Sequence, residues 1–380
     1  MSRLVRATLL GATVASGATA LLGLSWLAGL RPTAYAVPGA ALLAQLAGAD
    51  AATVVHVLAG LTGVAAGIAA LAGALGTRGR TVTAALQVAV LGFVLQGTGP
   101  LSTVGYLVAM AMPAAVVVLL VQVVRRYRVA RWTVGVPGLA LLLGGGFLLR
   151  DAVAGVVRML GAGLAEHGAG LILSLLLLVT GALWAAVGAQ ALSGTAAAER
   201  ATAWVLRHRT AITIVAATGP LPYALVRLTW LTPWPQLGFD IDLSARVWGL
   251  TLSSGAWLGV VLTLGLIRPW GEVFPRWMPG LAGRRVPVAA AAVPGGLVAA
   301  TLIFSTVPML VMFSDQTLGQ AVLGAIVFPC WYWGPALALA VWGYVAHRTP
   351  VDRARENRAE PAEQAARVPG LASPVADRRG

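Results

Sequence analysis

The chain contains no lysine, a single cysteine at Cys330, and only 13 acidic residues in 380. Each shortage excludes some chemistry. Without lysine there is no Walker A phosphate loop, no Schiff-base lysine and no Ser-Lys dyad. One cysteine can form neither an intramolecular disulfide nor a thiolate cluster around a metal. There is no HExxH zinc pair, and no GxSxG elbow forms because Thr251 and Leu252 precede Ser253 and Ser254. An aspartate-rich DDxxD pattern is also missing. An ATP-driven pump, a zinc protease and a serine hydrolase are therefore not expected, and neither a metal nor a cofactor is anticipated.

What the chain has in abundance is apolar surface. Hydrophobic residues make up 58% and charged residues 11%, far more grease than a soluble domain of this length could bury. The net charge of +14 comes from 27 arginines, which suits the basic inner loops of a membrane protein and gives no reason to expect a nucleic-acid partner. Ten apolar runs of spanning length lie near residues 8–30, 52–75, 81–97, 104–124, 133–149, 168–192, 211–231, 247–267, 288–313 and 322–346. A run of about 20 residues matches the hydrocarbon thickness, and a helix is the form that satisfies its own backbone there.

Fifteen arginines, from Arg3 to Arg285, fall in connections on one side, while only Arg31, Arg150, Arg158 and Arg246 fall on the other. Positively charged loops stay cytoplasmic, so both termini are expected inside. The start (MSRLVR, an apolar run, then Ala34-Tyr35-Ala36) has the elements of a signal peptide. Its apolar run is longer than the roughly 7–15 residues such a segment needs, and the expectation is a retained first span. The fold expected is all-α: a polytopic helical bundle over residues 1–346 and a disordered cytoplasmic tail over 347–380, rich in Arg, Glu, Ala and Pro.

A weak internal repeat adds to this. Leu24-Ser25-Trp26-Leu27 matches Leu228-Thr229-Trp230-Leu231, and Gly63, Gly67 and Gly73 align without gaps with Gly255, Gly259 and Gly265. The repeat would relate spans 1–4 to spans 7–10 as a 4+2+4 parallel pseudo-repeat. Chance alignment of Gly/Ala/Leu-rich helices is the competing account. Gly63-x3-Gly67 and Gly255-x3-Gly259 each place small residues one turn apart, and both faces are read as packing faces.

The chemistry concentrates between Ala224 and Pro287. Arg227 sits inside span seven, where a charge is costly unless it snorkels, pairs with Asp240 or Asp242, or meets an anionic substrate. Asp240 and Asp242 precede an outer helix start, which makes helix capping the simpler account. Gly219-Pro220 and Pro222 should bend or break span seven below Arg227, as interrupted helices do around transporter cavities. Phe328 to Pro335 (FPCWYWGP) combines a kink with aromatics and reads as an interfacial belt. His56 reads as a hydrogen-bonded residue near the outer end of span two, with only His167 available as a second metal ligand.

The inner loop RPWGEVFPRWMPGLAGRRVP, residues 268–287, is stiffened by Pro269, Pro275, Pro279 and Pro287 and carries Trp270, Phe274 and Trp277. It should be an ordered clasp on which a protein partner could dock. The stretch 246–287 resembles polytopic membrane proteins of high-GC bacteria without assigned function, which implies a multi-pass protein of the bacterial cytoplasmic membrane and no catalytic residues.

The leading expectation is a transporter-like or permease-like protein in the lipid bilayer. It would hold a small-molecule or lipid ligand in an outward-facing cavity near Arg227, Trp230, Asp240, Asp242 and Trp257. With no acidic residue inside any span, ion coupling is not expected. One alternative is a membrane-embedded enzyme on a lipid or lipid-linked substrate, with Asp240 or Asp242 as acid, base or metal ligand and Arg227 holding a phosphate. Another is a structural or regulatory scaffold.

Overall fold

The computed structural model describes residues 3–37, 41–97, 150–235, 242–276, 282–313 and 316–366, with a few isolated positions besides. The described residues are helical, without strands; one isolated antiparallel bridge joins Val273 to Arg285. In order the helices are α1 (Arg3–Leu27), α2 (Leu42–Ala47), α3 (Ala49–Leu71), α4 (Thr77–Ala89), α5 (Arg150–Leu192), α6 (Ala196–Arg207), α7 (Arg209–Thr218), α8 (Leu221–Leu228), α9 (Leu243–Gly265), α10 (Val288–Phe313), α11 (Leu318–Val327) and α12 (Cys330–Ala366). Among the described residues, 7 segments are long and apolar enough to cross a membrane. The run expected at 81–97 is α4 followed by a π-helical turn, Val90–Val94. The runs expected at 104–124 and 133–149 lie outside the described residues.

Two cores divide the molecule. The first gathers α1, α3, α4 and α5 around Leu9, Leu91, Leu177 and Trp184. The second gathers α7, α10 and α12 around Ala216, Leu302, Ala340 and Tyr344. Phe304 of α10 joins them, since its ring lies where side chains at Gly92 and Gly181 would otherwise stand.

The α1–α3 seam shows why the first core holds. Lipid tails are as apolar as leucine, so membrane helices associate by close contact, and contact requires small side chains. Gly60, Gly63 and Gly67 share one face of α3, and a Cβ at each would strike Ala20, Ser16 and Thr13 of α1 in turn. At the far end the roles reverse, and Gly23 of α1 faces His56 and Val57. Polar side chains cross the same core: Trp184 Nε1 donates to Ser16 Oγ at 3.0 Å, and Gln87 Nε2 to the Ala59 carbonyl at 2.9 Å. Gly259 behaves differently from the packing residue the sequence suggested. Nothing among the described residues lies within 4 Å of the Cβ it lacks.

At the arginine-rich end, the 268–287 loop folds back onto the helices. Phe274 N donates to Arg284 O at 2.9 Å and Val286 N to Glu272 O at 3.0 Å, which makes the loop a short hairpin. Trp270 fills the notch at Gly265. The loop is pinned from α12: Tyr344 Oη donates to Gly271 O at 2.9 Å, Arg348 Nη2 to Val286 O at 2.9 Å, and Arg348 Nη1 to Tyr344 Oη at 3.0 Å. Arg348 is 3% exposed and lies in α12, which runs through His347, where the tail was expected to begin.

Two stability outcomes follow. Gly67→Leu should lower stability by about 2 kcal/mol through overpacking, whereas Gly259→Leu should change it by less than about 0.5 kcal/mol, as read by thermal unfolding in detergent. Arg348→Ala leaves two buried carbonyls without their charged donor and should cost about 3 kcal/mol. Its proteolysis pattern should show earlier cutting within 268–287.

Candidate binding site

The end opposite the clasp carries the residues that the sequence singled out, and a broken helix positions them. Pro222 has no N–H to offer the Thr218 carbonyl, so the helix ends at Thr218 and restarts as α8. Gly219 leaves the break open to α12: a Cβ there would overlap the Trp333 ring. Tyr332 Oη lies 3.3 Å from Thr218 Oγ1, and the rings of Tyr223 and Phe328 are 5.2 Å apart. The FPCWYWGP stretch therefore does more than line an interface, because it wedges into the break in span seven.

Tyr223 and Arg227 on α8 and Trp230 in the 3-10 turn that follows it, Thr229–Leu231, recur at helical spacing and meet on one side. The Arg227 guanidinium lies 3.7 Å from the Trp230 ring centroid and 5.0 Å from that of Tyr223, both within cation–π range. Among the described residues Arg227 makes no ion pair and no hydrogen bond. Its charge rests on aromatic faces.

Trp230 is the keystone of this end. It is 7% exposed, and its ring edge occupies the notch left by Gly249 on α9. Its backbone carbonyl accepts from Arg246 Nη1 at 3.2 Å, and Arg246 also donates to Thr232 O at 3.0 Å. Lower down, Ser253 Oγ donates to Ala224 O at 3.4 Å. Arg246, which the sequence offered only as one of four arginines expected on the outer side, thus ties the turn at Trp230 and Thr232 to α9.

Of the other expected members, Asp242 is the N-cap of α9. Its Oδ1 accepts from Ala245 N at 2.8 Å, and it forms no ion pair with Arg227. Asp240 lies outside the described residues. Trp257 is half-buried on α9, eight residues beyond Gly249 and so about 12 Å farther along the axis. It does not join the Arg227–Trp230 group.

A second polar cluster, in the first core, was missed apart from His56 itself. Tyr35, from the loop after α1, donates its hydroxyl to His56 Nδ1 at 2.9 Å, and His56 Nε2 lies 2.9 Å from Thr19 O. A carbonyl only accepts, so Nε2 carries the ring proton and Nδ1 accepts. Trp26 packs over the imidazole with ring centroids 5.0 Å apart. With both nitrogens engaged, His56 is an anchor for Tyr35 and the turn around it and offers no lone pair to a metal. Among the described residues, no three His, Cys, Asp or Glu side chains are grouped to hold a metal ion.

No protein-family model, curated protein or solved structure matches the chain. The fold and the site define it as a multi-pass integral membrane protein with an arginine–aromatic cluster beside an interrupted helix. Trp230→Ala should lower stability by about 3 kcal/mol through the cavity it leaves. Trp257→Ala, half-exposed, should cost less than about 1.5 kcal/mol. Thermal unfolding of the two variants side by side checks the difference.

Proposed function

We propose that the protein is transporter-like, sits in the bacterial cytoplasmic membrane with both termini inside, and recognises an anionic group from the outer side through Arg227. The observation that supports this reading is that Arg227 lies in an interrupted span with its charge stacked on Trp230 and Tyr223 and, among the described residues, with no acceptor for its donors. Arginine's planar fork suits a carboxylate or phosphate, and the two rings hold it ready. The break at Gly219-Pro220, wedged by Trp333, is where α8 could shift relative to α7. The likeness of the 246–287 stretch to membrane proteins of high-GC bacteria belongs to the same reading.

The enzyme and scaffold readings gain less. The Asp242 carboxylate is occupied in capping α9, and Trp270 is spent on Gly265 within the chain. For the pseudo-repeat we note a local parallel. Trp26 closes α1 onto His56, and Trp230 closes α8 onto Gly249, one position from the residue that aligns with His56. Among the described residues the glycine seam of α1 and α3 does not recur at Gly259, so the proposed relation rests on the tryptophan ends.

Binding of phenyl phosphate and benzoate to protein in nanodiscs, followed by intrinsic tryptophan fluorescence, tests the proposal. Wild type should give a saturable change. Arg227→Ala should weaken it about tenfold or more, equivalent to about 1.4 kcal/mol, Arg227→Lys should fall between, and Asp242→Asn should bind as wild type does. A response of equal strength in Arg227→Ala, or none from either probe in wild type, would reject the reading.

A further inference from the structure

The connection between the two cores carries a feature that the Arg227 site does not explain. α5 ends at Leu192, level with the Gln190 Nε2 to Thr8 Oγ1 bond (3.0 Å) near the start of α1, and Gly194 (φ 87°) turns the chain into α6. α7 begins at Arg209, whose Nη2 donates to Leu266 O at 3.0 Å, just past the end of α9. Both attachments are at the arginine-rich end of the bundle. The 12 residues of α6 therefore cross from one core to the other over that end, a distance of about 18 Å for a helix of this length.

The two faces of α6 differ. Val205 is 1% exposed and packs beside Gly343 of α12. On the opposite face Arg200, Trp204 and Arg207 recur at i, i+4 and i+7, followed by His208, and all four are exposed. Trp204 is 51% exposed and stacks on His208 with ring centroids 4.8 Å apart. Arg200 Nε bonds only its own helix at Ala196 O, and Arg207 makes no ion pair or hydrogen bond among the described residues. Glu199, in the first turn beside Arg200, is the one acidic residue on the helix.

A surface of two arginines flanking an exposed tryptophan fits one environment well. Phosphate headgroups accept the guanidinium forks, and an indole settles at the boundary between headgroup and acyl chain. A helix lying across the bundle end presents this face to the leaflet continuously. We propose that the Arg200–Trp204–Arg207–His208 face of α6 binds the phosphates of anionic phospholipids, making α6 an interfacial strap that couples the two cores to that leaflet.

The test uses the full-length protein, since Cys330 is buried and leaves an introduced cysteine as the reactive thiol. Ala203→Cys places an environment-sensitive fluorophore on the exposed face. The labelled protein is reconstituted into vesicles of phosphatidylcholine alone or with about one-third phosphatidylglycerol. Emission should shift to the blue in the anionic vesicles, and salt should reduce the shift because headgroup attraction is screened. Adding Arg200→Gln with Arg207→Gln should abolish most of the shift, whereas Arg276→Gln with Arg284→Gln, which removes the same charge from the clasp loop, should preserve it. Equal emission in both vesicle types, equal loss in both double variants, or a shift that appears only on adding a soluble protein fraction would overturn the proposal.

Discussion

Inside a bilayer there is no water to expel from between two helices, so adhesion depends on how closely their backbones approach. That constraint runs through this structure. The α1–α3 seam works because glycine or another small residue stands at each contact, from Gly23 opposite His56 to Gly67 opposite Thr13. The same logic brings large rings against glycine notches: Trp230 at Gly249, Trp270 at Gly265, Trp333 at Gly219, and Phe304 between Gly92 and Gly181. Except for Trp270, which folds back on the end of the preceding helix five residues earlier, these rings join separate helices, and together they determine where the helices meet.

Charge is handled by the complementary rule that a cation in or near the membrane must be solvated by the protein. Arg348 is solvated by carbonyls and the Tyr344 hydroxyl, and Arg209 and Arg246 by carbonyls at opposite ends of the bundle. Arg227 is the exception. Among the described residues its surroundings are aromatic faces, which stabilise the charge without occupying its hydrogen-bond donors. An arginine locked onto carbonyls serves as a fastener, and the proposed role of Arg227 rests on its not being one.

The sequence exposed much of this and hid the rest for identifiable reasons. Arg227, the break at Gly219-Pro220 and the capping position of Asp242 were legible because each is local: one charge in an apolar run, one proline pair, one residue before a helix start. The role of Arg348 was not legible, since it stands at the edge of an arginine-rich tail and only the folded loop supplies its acceptors. At Gly259 the Gly-x3-Gly spacing describes a helix face without saying whether another helix lies against it, and among the described residues none does. Tyr35 was legible only as part of Ala34-Tyr35-Ala36, because its partner, His56, is brought to it by the return of α3 alongside α1.

By itself, then, the amino-acid sequence determined that the described chain is helical and apolar enough to cross a membrane, because backbone satisfaction in hydrocarbon depends on run length and composition alone. It also determined where the helices start, bend and stop, through proline, glycine and capping residues. Tertiary structure alone decided which glycines are contacts, which arginines are anchors, and that Trp230 rather than Trp257 stands beside Arg227. The glycine and arginine contacts depend on pairs of residues far apart in the chain, and a one-dimensional pattern carries no information on which distant faces meet; Trp230 stands three residues from Arg227, but its burial against Gly249 is likewise tertiary.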